Sequence, residues 1–321
     1  MLKGKELILA TRSFAQEDRA KSWYYTLSTL LFLMACLVVT ALDLHWGIKL
    51  LFSITAGFLI VRMFVIYHDH QHKAILTKSW LADAIFTLFG FYVLAPTGIW
   101  TTSHDYHHKN NSKLFSASIG SYPIYSKQKF DKLSKAEQRH YLFIRHPITI
   151  LFGYLFAFMY GMCIKSLINR FNKHLDSLLA LILHITSQCL VFYFLGWQTW
   201  VFCCLIPHFI SGAMGAYLFY AQHNFPSATF VGNEEWTYEG AALDSSSYMK
   251  LSAPLQWATA NIGFHHIHHM NARIPFYRLP EVMQAIPELQ HAKQTSLKPK
   301  DIIACFKLKV WDFEKQQMVG I

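Results

Sequence analysis

The chain has 321 residues, of which 53% are hydrophobic and only 15% charged, and it carries a formal net charge of +10. So apolar and charge-poor a composition is unusual for a water-soluble globule. The basic residues lie mainly in polar stretches flanking apolar runs, which points to a membrane surface and away from nucleic acid. The six cysteines form no Cys-x-x-Cys pair and read as small buried hydrophobes with free thiols.

In chain order, residues 1–21 show no apolar core followed by a small-residue cleavage site, so no secretory signal is expected. Apolar runs follow at 23–44, 47–67, 79–100, 147–163, 178–196 and 198–220. A membrane-crossing helix needs about 20 such residues. The run 79–100 contains Asp83, Pro96, Gly90 and Gly98, and 147–163 is short. Three histidine clusters must meet on one side of the membrane, so 79–100 is read as re-entrant or interfacial. The linker 164–177 carries Lys165, Arg170 and Lys173 and belongs in the cytoplasm by the positive-inside tendency. That makes 147–163 the second non-crossing run. The expected architecture is all-α and membrane-embedded. It has four spans (23–44, 47–67, 178–196, 198–220), the last two forming a hairpin that turns near Gly196–Trp197. A helical cap (101–146 and 221–321) and both termini are cytoplasmic, in one domain over 1–321. Ser134-x-x-Glu137 reads as a capping box opening a short cap helix.

The clusters are HDHQH at 68–72, HDYHH at 104–108 and HHIHH at 265–269. Residues at i, i+3 and i+4 share a helix face, so each cluster can aim several imidazoles at one point. Eight such histidines exceed what one ion uses, and two metals are the natural reading. The eight are His68, His72, His104, His107, His108, His265, His268 and His269. His223 emerges from the last apolar run at the depth to join them. His70 and His266 lie off the shared faces and read as non-ligands. His184 and His208, inside apolar runs, read as satisfied polar residues. Carboxylates near the clusters are Asp69, Asp105, Asp244, Glu234 and Glu235. Asp69 and Asp105 each directly follow a cluster histidine and are placed to orient ligands through the second ring nitrogen. Glu137-x-x-His140 and Glu288-x-x-His291 have di-iron carboxylate spacing, but lie in polar segments and read as surface residues.

The stretches YHDHQH (67–72), WTTSHDYHHKNN (100–111), FYAQHNF (219–225) and NIGFHHIHHMNARIPFYRL (261–279) resemble the integral-membrane fatty acid desaturases. The resemblance spans about residues 45–315, and the third cluster with QHNF is most similar to the acyl-lipid, omega-6 branch. Box one departs from the usual pattern, with His70 and Gln71 in place of small residues. The resemblance implies a site of two non-haem irons held by the nine histidines named above, with Asn261 near it in a water-holding or supporting role. It implies a cis double bond placed in a long acyl chain, lipid-linked or thioester-linked, using O2 and two external electrons. No haem, iron–sulfur or dinucleotide motif is present, so the donor is a separate protein, ferredoxin-like or cytochrome-like. Phe86, Phe89, Trp100 and Thr101, ahead of box two, are placed to line a substrate channel. A membrane hydroxylase or ketolase is the nearest rival, since it begins with the same hydrogen abstraction. A metal transporter would carry its histidines mid-span.

Overall fold

A computed structural model of the chain describes residues 2–114, 122–232 and 234–321; residues 115–121 of the expected cap lie outside the described residues. Among the described residues the protein is all-α, with a few short strands in the cap. Helix α1 (Arg19–Ala41) starts at Asp18, whose side chain accepts from the Lys21 N–H. It turns at residues 42–45 into α2 (Trp46–Gln71), where the His45 ring accepts from the Gly47 N–H. Both helices are long and apolar enough to cross a membrane.

Arg62 is buried within α2 and bound on several sides. Its Nε donates to Thr29 Oγ1 of α1 at 3.1 Å, and its Nη1 donates to the Trp257 carbonyl of the cap. Its guanidinium also lies 4.4 Å from the Trp257 ring centroid. A charge left without these partners would be costly at this depth, so Arg62 locks the first two spans to the cap.

The run 79–100 forms α3 (Trp80–Tyr92), capped by Ser79, and α4 (Thr97–Lys109), with an 89° bend between them. At the bend Leu94 takes φ 58° and Pro96 precedes the new helix. Box one precedes α3 and box two ends α4, and both reach the same histidine group. The bent pair thus begins and ends beside one histidine group. The run 147–163 is likewise no single rod. It forms α6 (Pro147–Leu151) and an 11-residue π-helix, Tyr154–Ile164.

The last two runs form one 47-residue apolar stretch, Leu175–Ala221. At 1.5 Å per residue this would reach about 70 Å, more than twice the roughly 30 Å hydrocarbon thickness. It folds back at Gly196 (φ 82°, ψ 164°), inside α7 (Leu175–Trp200) and ahead of α8 (Ile206–Ala221). Only a residue without Cβ adopts that φ readily. The return is tight: Trp200 Nε1 donates to Gln188 Oε1 at 2.7 Å, and the His184 and His208 rings lie 4.9 Å apart.

Against α8 the π-helix approaches backbone to backbone. A Cβ on Gly153 would lie 2.4 Å from the Gly212 carbonyl oxygen, and one on Gly212 would lie 2.5 Å from Tyr154 N. Small residues permit such contact between buried helices.

The cap is less helical than expected. It contains α5 (Lys135–Ile144), opened by the Ser134–Glu137 capping box, and α9 (His265–Met270). It also contains two small sheets. β1 (Tyr125–Ser126) pairs parallel with β4 (Val310–Asp312), which pairs antiparallel with β5 (Gln317–Val319). β2 (Tyr248–Lys250) pairs parallel with β3 (Gln294–Ser296). These strands are two or three residues long, too short to show a period-two pattern.

Candidate metal centre

Nine histidines converge in two groups. His68, His72, His104, His108 and His268 form the first, and His107, His223, His265 and His269 the second; within each group the available ring nitrogens lie within 4.8 Å of one another. All are buried except His72, which is partly exposed. The nine are the histidines singled out above, but the boxes do not each aim at one point. In both His-x-x-His-His boxes the first and last histidines face one group and the middle one faces the other. With 3.6 residues per turn, i+4 sits about 40° to one side of i and i+3 about 60° to the other. A box lying between two centres is therefore divided between them. Helices α4 and α9 do this in opposite senses: α4 gives two imidazoles to the first group and one to the second, and α9 the reverse.

Within the first group, Nε2–Nε2 separations are 2.8 Å (His68–His104), 3.1 Å (His104–His108) and 3.0 Å (His108–His268). Within the second they are 3.1 Å (His107–His223), 2.9 Å (His223–His265) and 3.0 Å (His265–His269). Imidazole binds such metals at about 2.1 Å. Adjacent ligands at right angles would then be about 3.0 Å apart and tetrahedral ligands about 3.4 Å. The spacings are close enough for the imidazoles of each group to share one metal ion. The donor set, neutral imidazole throughout, suits iron among other first-row metals. Burial holds His223 down at about 4, and holds His265, His268 and His269 well below the usual histidine range with help from neighbouring imidazoles. At neutral pH these rings are uncharged and offer lone pairs.

The surrounding contacts separate the remaining candidates. Asp69 is buried; one oxygen accepts from His68 Nδ1–H at 3.1 Å and the other from the Phe276 N–H at 2.6 Å. Asn261, with φ 61°, holds the same residue from its other side, its Nδ2 donating to the Phe276 carbonyl at 3.1 Å. Its contact is thus with the strap that braces Asp69, not with an imidazole. Asp105 does not take the expected role. It is exposed, because one residue beyond His104 is about 100° round the helix. The sequence reading missed the Ser245 carbonyl, which accepts from His223 Nδ1–H at 3.1 Å. No motif marks a backbone acceptor 22 residues away.

His70 and His266 stand apart. His70 Nδ1 lies 3.1 Å from the Ile75 carbonyl and Nε2 3.0 Å from Asp83 Oδ1, with its ring stacked on Phe86. His266 Nε2–H donates to the Leu289 carbonyl at 3.2 Å. Glu137 is engaged by Ser134 in its own capping box and Glu288 by the Leu2 N–H at the other end of the chain.

Beneath the histidines lies a narrow apolar cavity. Its head is formed by His68, His104 and His265, its sides by residues such as Phe64, Phe158, Leu218 and Phe219, and its far end by Tyr154 and His208. Phe86, Phe89, Trp100 and Thr101 do not line it. Phe86 stacks on His70, Phe89 packs toward Tyr67, Trp100 stacks on His104 at 4.7 Å, and Thr101 Oγ1 donates to Gln71 Oε1. Of the four, Trp100 backs an imidazole of the first group, while the other three pack against His70, Tyr67 and Gln71. A second, wider cleft shares the Phe158 and Phe219 walls and is rimmed by His140, Lys165, Asn169 and Arg170.

Comparisons with known proteins agree with this geometry. The fatty acid desaturase family model matches residues 44–298. The chain is 29% identical to a fatty acid desaturase of Bacillus subtilis (strain 168), over 99% of this chain and 91% of that protein. It is 25% identical to an sn-1 acyl-lipid omega-3 desaturase (ferredoxin) of Nostoc sp., over 84% of this chain and 76% of the relative. It is 21% identical to an sn-1 oleoyl-lipid 12-desaturase of Picosynechococcus sp., over 86% and 80%. Long apolar helices, two histidine groups able to hold metal and a family match over most of its length make this chain an integral-membrane oxidoreductase of the fatty acid desaturase family.

Proposed function

We propose that the protein is an acyl-lipid desaturase that places a cis double bond in a long acyl chain, with nine histidines holding two irons. The observation that carries this reading is the apolar cavity whose head is made of imidazoles from both groups, His68 and His104 from one and His265 from the other. Two irons, when bound, supply the O2-dependent oxidising power toward methylene C–H bonds that no side chain possesses. His68, His72, His104, His108 and His268 hold one ion, and His107, His223, His265 and His269 the other.

The chain's own residues supply position and dryness. Phe64, Leu218 and Phe219 confine an acyl chain beneath the imidazoles and keep water out. Asp69 keeps the Nδ1 proton on His68, so that Nε2 faces the metal. The wider cleft suits a lipid carrier. Its cationic rim of Lys165 and Arg170 would sit beside a headgroup while the chain passes Phe158 and Phe219. The relatives named for acyl-lipid and oleoyl-lipid substrates support the same carrier. The site and both termini face the cytoplasm, where a ferredoxin-like or cytochrome-like donor supplies two electrons. The exposed Lys127, Lys132, Lys135 and Arg139 of the cap would attract an acidic partner.

Expression in a host with simple lipids, followed by mass spectrometry of its acyl chains, tests the reading. New species lighter by two hydrogens are expected, and they should vanish in His107→Ala. Species heavier by one oxygen, without new unsaturation, would make the protein a hydroxylase.

A further inference from the structure

Helix α8 runs down from the histidines to a second, smaller polar cluster inside the apolar runs. His184 Nδ1–H donates to the Tyr92 carbonyl at 2.8 Å, and its Nε2 accepts from the Tyr154 hydroxyl at 2.7 Å. His208 Nδ1–H donates to the Cys204 carbonyl at 2.8 Å, and its ring lies 5.5 Å from Tyr154 and 4.9 Å from His184. Tyr92 is the last residue of α3, so its carbonyl lacks a partner within its own helix. The bend that returns α4 to the metal centre thus exposes an acceptor, and His184 satisfies it.

Tyr154 and His208 form the far end of the apolar cavity. From Gln222 at its head to His208 is 14 residues of α8 and its C-cap, or about 21 Å along the axis. The polar end of a lipid-linked chain cannot enter this apolar space without losing its hydration. The methyl end therefore points down, toward Tyr154 and His208.

We propose that the Tyr154–His184–His208 cluster is the stop against which the methyl end of the acyl chain is measured, so that it sets which carbons lie beside the metals. This rests on the desaturase reading above. An apolar end wall can give way by rotamer changes, but this wall is tied by hydrogen bonds to two backbone carbonyls. Pushing it aside would orphan buried polar groups, and burying one more methylene gains less than such a loss costs. The position of the double bond would then be counted from the methyl end.

The test is the double-bond position, located by mass spectrometry of derivatised acyl chains from cells expressing each variant. His208→Ala deepens the cavity. It should move the bond by one or more carbons toward the carboxyl end, or admit longer chains that the wild type rejects. Ser211→Val narrows the cavity one turn nearer the histidines without removing a member of the cluster. It should move the bond toward the methyl end or exclude the longest chains. A bond at unchanged carbons in active His208→Ala, with unchanged chain-length preference, would overturn the proposal. If His208→Ala fails to accumulate, unchanged positions and chain lengths in Ser211→Val would overturn it equally. No new double bond from the wild-type protein would instead reject the desaturase reading itself.

Discussion

The Nδ1–H of His68 is held by Asp69 at 3.1 Å, and this pair is braced by the chain 207 residues further on, where the Phe276 N–H donates to the other Asp69 oxygen at 2.6 Å. The carboxylate thereby fixes one ring of the first group and fastens the cap strap to the end of α2. Both partners are donors, so Asn at this position would turn an amide N–H toward one of them. Asp69→Asn is expected to lower turnover about 10- to 100-fold, the usual cost of losing such a support. Metal content should fall first at the five-histidine site. Unchanged activity and metal retention would show that the contact supports nothing beyond packing.

The division of the boxes predicts separable metal losses. Wild-type protein should bind two irons per chain by elemental analysis. His268→Ala removes an imidazole from the first group only, and His107→Ala from the second only. Each should retain about one ion and lose turnover. Saturation of active wild-type protein at one ion per chain would defeat the two-site arrangement.

His266 should behave differently from its neighbours. It is buried and donates to the Leu289 carbonyl, away from both groups. His266→Ala is expected to retain both ions and measurable activity while losing about 1–3 kcal/mol of stability, from an orphaned carbonyl and lost packing. Thermal unfolding and metal content of the same sample read both outcomes. A dead, metal-depleted but well-folded His266→Ala would move this residue into the centre.

Acid should destabilise the metal-free protein. Burial lowers His266 to about 4 from the ordinary 6.5, and His223 likewise to about 4. Between these values the unfolded chain binds more protons than the folded one, so stability rises with pH through the window and falls as pH drops from about 6.5 toward 4. Denaturant midpoints of metal-stripped protein should decline across that interval. A flat profile would mean that these rings are protonated or water-exposed when folded.

Orientation is open to labelling. With the native cysteines replaced, Asn169→Cys and Lys315→Cys should resist a membrane-impermeant maleimide in intact cells and react after permeabilisation. His45→Cys, in the opposite turn, should react at once. Labelling of Asn169→Cys from outside would place the 164–177 linker, and with it the wide cleft, on the far side.

The nine converging histidines were legible in the chain because helical spacing and position after an apolar run are local properties. So were the α5 capping box and the helix-breaking residues of 79–100. Asp69 could be singled out because it adjoins His68, but adjacency misled at Asp105, where a quarter-turn of helix carries the side chain into solvent. The cavity walls were misplaced for a related reason. Phe86 and Trp100 are aromatic and close to the boxes in sequence, yet they stack behind His70 and His104, while the walls come from Phe64, Phe158 and Phe219 on three separate segments.

By itself, the sequence determined which side chains could bind metal and which segments are apolar, since both follow from residue type and period. The tertiary structure alone decided how the imidazoles are shared. His107 leaves the His104–His108 pair, and His268 leaves the His265–His269 pair, only because α4 and α9 bring their histidines together in two groups. A helical period states which residues share a face. It cannot state what stands opposite that face, because this depends on contacts between residues more than a hundred positions apart.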